Sequence, residues 1–108
     1  MAGMLYLVPT PIGNLGDISK RARETLESAD FIAAEDTRVT LKLLNHLELK
    51  KPLVSYYEHN KSFKGEKILD RILSGETCAL VSDAGSPAIS DPGEDLVKQC
   101  AAAGITVC

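Results

Sequence analysis

A chain of 108 residues, 44% hydrophobic and 25% charged, is long enough for one domain with a real core and too short for a second of ordinary size. Its net charge of −3 argues against a strongly basic nucleic-acid module, and without a charged-then-apolar leader or a long apolar span it is expected to be soluble, cytoplasmic and free of membrane contact. Cys78, Cys100 and Cys108 are odd in number and lack ligand spacing, so buried reduced thiols are expected, with neither a disulfide frame nor a metal site.

Met4–Val8 reads as a first strand, and residues 9–17 follow it as a loop bearing glycine and proline before Ile18, Ala22, Leu26 and Ala29 set a helical stripe. That loop has neither the dinucleotide fingerprint nor a Gly-Lys-Ser/Thr phosphate cradle. Its prolines remove backbone donors, which suits a rigid wall against a flat or extended ligand. A second apolar run, Phe31–Ala34, ends in Glu35, Asp36, Thr37 and Arg38. Asp36 is a cap candidate for a helix beginning at Thr37, while Glu35 stands where a carboxylate receives ribose hydroxyls in nucleotide-binding sheets, an analogy between folds. Arg38 is in reach of either acid, as an ion pair of little stabilising value.

Val39, Leu43, Leu44 and Leu47 predict a second helical face; Leu53, Val54 and Tyr56 a third strand; Ile68, Leu69, Ile72 and Leu73 a third helix before Ser74 and Gly75. Thr77–Val81 predicts a strand buried on both faces. Residues 82–93 then carry small residues, two carboxylates and two prolines into a helix start, with Asp91 and Glu94 as a capping pair and Pro92 at the first helical position. Leu96, Val97, Cys100 and Ala101 mark the last helix, and Ile105–Cys108 a last strand. This alternation predicts an α/β fold: a mostly parallel five-stranded sheet with helices on both faces. Loops 9–17 and 82–92, each following a strand, are expected at one edge of it, where open α/β sheets bind ligands.

Charge is uneven. Between Thr37 and Arg71, eight Lys/Arg face four Asp/Glu, leaving +4 there and −7 elsewhere. The band includes Lys42, Lys50, Lys51, Lys61, Lys64 and Lys67, and reads either as a solvated face or as a polyanion contact beside Tyr56, Tyr57 and Phe63, whose rings can stack on bases or fill the core. His59 with Asn60 fits a turn or helix cap better than a Ser/His or Cys/His pair.

Residues 5–18, 34–38, 58–60 and 82–93 together resemble the tetrapyrrole-methylase superfamily and, within it, the ribosomal RNA small-subunit methyltransferase I family, which methylates a cytidine 2′-oxygen. The resemblance covers nearly the whole chain. Ser86 stands where Thr is usual and Tyr57 where His is common, and the second departure weakens any role for a histidine cluster. The resemblance implies a two-domain homodimer that binds S-adenosyl-L-methionine between its domains and acts on 16S rRNA in the small ribosomal subunit. It makes residues 1–108 the N-terminal methylase domain, with the C-terminal domain absent from this chain. Cofactor contacts are implied at Pro11, Ile12 and Gly13 and at Asp83, Ala84, Gly85, Ser86 and Ile89, and Glu35, Asp36 and Arg38 fall to the substrate side or the scaffold. A tetrapyrrole or protein methyltransferase of the same superfamily, and a noncatalytic nucleotide-binding or dimerisation module, are the competing expectations.

Overall fold

The computed structural model describes residues 2–10, 15–82 and 91–108. Along them run β1 (Met4–Pro9), α1 (Lys20–Ser28), β2 (Phe31–Ala34), α2 (Thr37–His46), β3 (Leu53–Ser55), α3 (Lys61–Leu73), β4 (Cys78–Ser82), α4 (Asp91–Ala102) and β5 (Thr106–Val107). The strands form one sheet in the order β3-β2-β4-β1-β5, and all four pairings are parallel, so the expected architecture stands with no antiparallel strand among the described residues.

Burial follows from this order. Every residue of β2 and Cys78–Val81 of β4 is buried, as uninterrupted apolar runs in the middle of a covered parallel sheet must be. The connections β1 to β2 and β2 to β3 step one way across the sheet, while β3 to β4 and β4 to β5 step the other way. Right-handed crossovers then place α1 and α2 on one face and α3 and α4 on the other. The two cores divide accordingly. Leu26, Leu43 and Leu44 pack with Val8, Ile32 and Ala79, whereas Ile68, Ile72, Leu96 and Cys100 pack with Leu5, Phe31 and Leu80.

The apolar stripe of α2 differs from the sequence expectation. Val39 is 44% exposed, and the inward position one residue on belongs to Thr40, which is buried with Leu43, Leu44 and Leu47. Spacing from Thr40 is the helical i, i+3, i+4, i+7, so a buried polar residue had shifted the apparent stripe. The fifth strand is also shorter than the apolar run that announced it, although Cys108 continues its ladder by bonding Leu5 and Leu7 at 2.9 Å each. Cys78 and Cys100 are buried thiols as expected, but Cys108 is exposed, because β5 is an edge strand.

Three helices end alike. After α2, α3 and α4 the chain turns through Glu48, Gly75 and Gly104, all with positive φ, and in each case the next amide bonds a carbonyl five residues back. This is the left-handed helix stop that favours glycine, and Glu48 occupies it at φ 58° despite its side chain. At the end of the sheet where the strands begin, Arg71 forks onto both carboxylate oxygens of Glu76 at 2.8 Å and lies 3.7 Å over the Phe31 ring. That carboxylate hydrogen bond holds the Arg71 guanidinium above its ordinary pKa and Glu76 below. Among the described residues no helix is long and apolar enough to cross a membrane, and no group of His, Cys, Asp and Glu is placed to hold a metal ion.

Candidate functional site at the carboxyl edge of the sheet

β1 and β4 are neighbours in register, with Val8 opposite Val81 and Pro9 opposite Ser82, so they finish side by side. From those two ends the chain departs to opposite faces, toward α1 after β1 and toward α4 after β4. Diverging connections from adjacent parallel strands open a crevice at the sheet edge, the switch point at which α/β sheets take ligands. Pro11, Ile12 and Gly13, and Asp83, Ala84, Gly85, Ser86 and Ile89, fall in the two segments that leave these ends and lie outside the described residues. The described shoulders are Thr10, buried directly after β1, and Pro92, buried in the first turn of α4.

Pro92 is anchored from a distant part of the chain. Tyr56, fully buried just past β3, donates its hydroxyl to the Pro92 carbonyl at 2.6 Å. Burial first, and the nearby Asp95 charge second, push this phenol up to about 12, so it remains a donor at any physiological pH. Lys61, opening α3, bonds Asp95 of α4 and also pairs with Glu58 at 3.3 Å. Their shared hydrogen bond raises the Lys61 ammonium and lowers the Asp95 carboxyl relative to their ordinary pKa values. Asn60 closes the intervening turn, its side chain accepting from the Tyr57 amide at 2.7 Å and donating to the Ser55 carbonyl at 3.0 Å. Thus the start of α4 is pinned by the end of β3 and the start of α3. Sequence reasoning missed this, since partners 36 and 34 residues apart leave no local signal.

The acidic cluster after β2 separates into two roles. Asp36 is the cap of α2, accepting from the Arg38 amide at 3.0 Å and facing the Arg38 guanidinium at 3.4 Å. The Arg38 side-chain bond, ahead of its amide, holds the Asp36 carboxyl below the usual range. Glu35 is exposed and has no hydrogen bond or ion pair among the described residues. Because Ala34 pairs with Val81, Glu35 follows β2 at the same sheet edge as the crevice, one strand from β4. The geometry therefore brings Glu35, Asp36 and Arg38 to the edge that the two ligand-loop predictions share.

Comparison with known proteins accords with this geometry. A family model described as Tetrapyrrole (Corrin/Porphyrin) Methylases matches residues 4–108. Curated relatives include the ribosomal RNA small subunit methyltransferase I of Bacillus subtilis, 62% identical over 96 residues covering 89% of this chain and 33% of that protein. That of Halalkalibacterium halodurans is 59% identical over 105 residues, covering 97% of this chain and 36% of that protein. The chain thus spans about a third of the length of these relatives. Among solved structures, diphthine synthase superposes with a TM-score of 0.76 at 14% identity, over 97% of this chain and 42% of that one. Uroporphyrin III C-methyl transferase from Thermus thermophilus gives 0.74 at 17% identity, over 97% and 46%, and both likenesses concern the fold.

Proposed function

The chain belongs to the tetrapyrrole methylase family, and from that premise we propose that residues 1–108 serve as the N-terminal methylase domain of an S-adenosyl-L-methionine-dependent methyltransferase acting on 16S rRNA. The observation that carries this reading is the pair of parallel neighbours β1 and β4 whose connections leave for opposite faces. A crevice of that kind suits a flat, extended ligand held by backbone on two sides, and the sulfonium cofactor is one. Pro11, Ile12, Gly13, Asp83, Ala84, Gly85, Ser86 and Ile89 are its proposed contacts, with a cytidine 2′-oxygen as the acceptor. Names of the relatives support the ribosomal RNA substrate. A cytoplasmic homodimer completes the reading.

The cofactor, when bound, supplies a methyl group already activated for displacement. What the protein must add is alignment of the acceptor oxygen and exclusion of water. Glu35, exposed just past β2, is our candidate for accepting a hydrogen bond from the acceptor hydroxyl, with Asp36 and Arg38 fixing the backbone beside it. As residues 1–108 span about a third of the relatives' length, we expect them on their own to bind the cofactor weakly and to transfer no methyl group. Calorimetric titration with S-adenosyl-L-methionine, NAD and ATP tests this, with weak binding of the first alone expected. Gly85→Val should abolish that binding by adding a β-branched side chain where the cofactor is proposed to lie, while Lys42→Ala leaves it unchanged. A folded Gly85→Val of normal affinity, or efficient methylation of 30S subunits by this chain, would refute the reading.

A further inference from the structure

We propose that the β3–α3 corner, built from Tyr57, Phe63 and Lys67 with Arg38 beside it, is a docking strip for single-stranded RNA that leads into the crevice, an inference resting on the ribosomal RNA reading above. Of five aromatic residues in the chain, Phe31 and Tyr56 are fully buried, and Tyr6 is partly so. The two most exposed rings, Tyr57 at 41% and Phe63 at 60%, both belong to this one corner. An exposed ring ordinarily loses the burial that makes aromatics worth having, and two together offer π-faces on which unstacked bases can lie.

Position and charge point the same way. Tyr57 follows β3, Arg38 follows β2 and the crevice follows β4 and β1, so strand order lines them along a single edge. At ordinary strand spacing β3 lies roughly 10 Å from β4, a distance that one flexible strand of nucleotides can cover. Of the acids near the corner, Glu58 and Asp95 pair with Lys61 and Asp36 with Arg38, while Glu35 and Glu66 are exposed. Lys67 lies 4.4 Å over the Phe63 ring, while the Arg38 guanidinium, 88% exposed, is free to stack beyond its contact with Asp36. Two exposed rings, one with Lys67 over its face, fit unstacked bases on a phosphate chain better than they fit a second copy of a chain carrying net negative charge.

The test uses the purified chain with a fluorescein-labelled ten-nucleotide single-stranded RNA, read by anisotropy at two salt concentrations, and light scattering in parallel. Tyr57→Ala and Phe63→Leu, the second keeping apolar bulk without the ring, should each weaken binding by at least about fivefold. Lys67→Ala should lower the dependence of log affinity on log salt by about 0.7, and Lys50→Ala, ahead of β3 at the other end of the sheet, should change little. Circular dichroism checks folding, and a titration with S-adenosyl-L-methionine should be indifferent to all four changes. Unchanged RNA affinity in the folded Tyr57→Ala, Phe63→Leu pair, no RNA binding by the parent chain, or lost self-association with RNA binding intact would each overturn the strip. RNA held through these residues by a chain that takes no S-adenosyl-L-methionine would overturn the cofactor reading and leave the strip standing.

Discussion

Removing one oxygen at Tyr56 tests how firmly the far side of the crevice is held. In Tyr56→Phe the ring keeps its buried place, but the hydroxyl that reaches Pro92 at 2.6 Å is gone. A buried carbonyl stripped of its partner costs about 1–3 kcal/mol. Pro92 lies in the first turn of α4, so its carbonyl is also the acceptor for the amide four residues on, and the loss falls in the lower part of that range. We therefore expect a destabilisation of about 1–2 kcal/mol, or a thermal midpoint lower by roughly 4–16 °C for a domain near this size. Urea unfolding followed by circular dichroism at neutral pH reads it, with the slope unchanged. The pH dependence supplies a second check. Burial raises the folded phenol to about 12 from 10.0, so the protonated form is favoured in the folded state. That contribution is complete below pH 10 and is lost as pH rises from 10 to 12, in the parent only. The stability gap between parent and variant must accordingly narrow above pH 10. Equal midpoints at neutral pH, or a gap that widens in alkali, would refute the reasoning.

Glu48→Gly should raise stability by about 0.5–1 kcal/mol in urea unfolding, since relief of a left-handed side-chain conformation outweighs the added freedom of the unfolded chain. Gly3→Ala should lower it by about 1–3 kcal/mol, because a Cβ there would stand 1.8 Å from the Glu76 carbonyl oxygen, and calorimetry should show the drop. A thiol reagent should label Cys108 rapidly in the folded chain and reach Cys78 and Cys100 only in denaturant, as burial also lifts those two thiols to about 12 and about 11.

Fold was legible wherever local chemistry decides structure. Apolar runs bounded by turn residues located β2 and β4, Asp36 announced the start of α2, and Gly75 announced the end of α3. Failures came where one residue type served an unusual end. Thr40 filled a core position that a hydrophobic pattern cannot register, Glu48 ended a helix in glycine's conformation, and Gly3 took a place set by the backbone of Glu76. Strand order itself is non-local, and so is everything that depends on it. That Tyr56 faces the core and Tyr57 faces water follows from the end of β3, where the alternation of faces meets the turn closed by Asn60. The strand pattern already marked Tyr56 as a core candidate as well as a stacking one, and left Tyr57 with the stacking reading.

The adjacent acids after β2 show how that geometry divides a candidate site. A general base works best with a pKa near the operating pH, so that it can both be ionised and hold the proton it takes. Asp36 fails on the second count. Its Oδ1 is committed to the Arg38 amide and guanidinium, and protonation would weaken both bonds and the cap of α2 together. Glu35 carries no such commitment among the described residues and sits one strand from the crevice. On the reading proposed above, Asp36 would act as a positioning residue, its cap holding the backbone that carries Glu35, and Glu35 would be the carboxylate offered to an acceptor hydroxyl. On that reading the methyl donor brings its own activation, so Glu35 would serve chiefly to orient that hydroxyl rather than to supply driving force for its deprotonation.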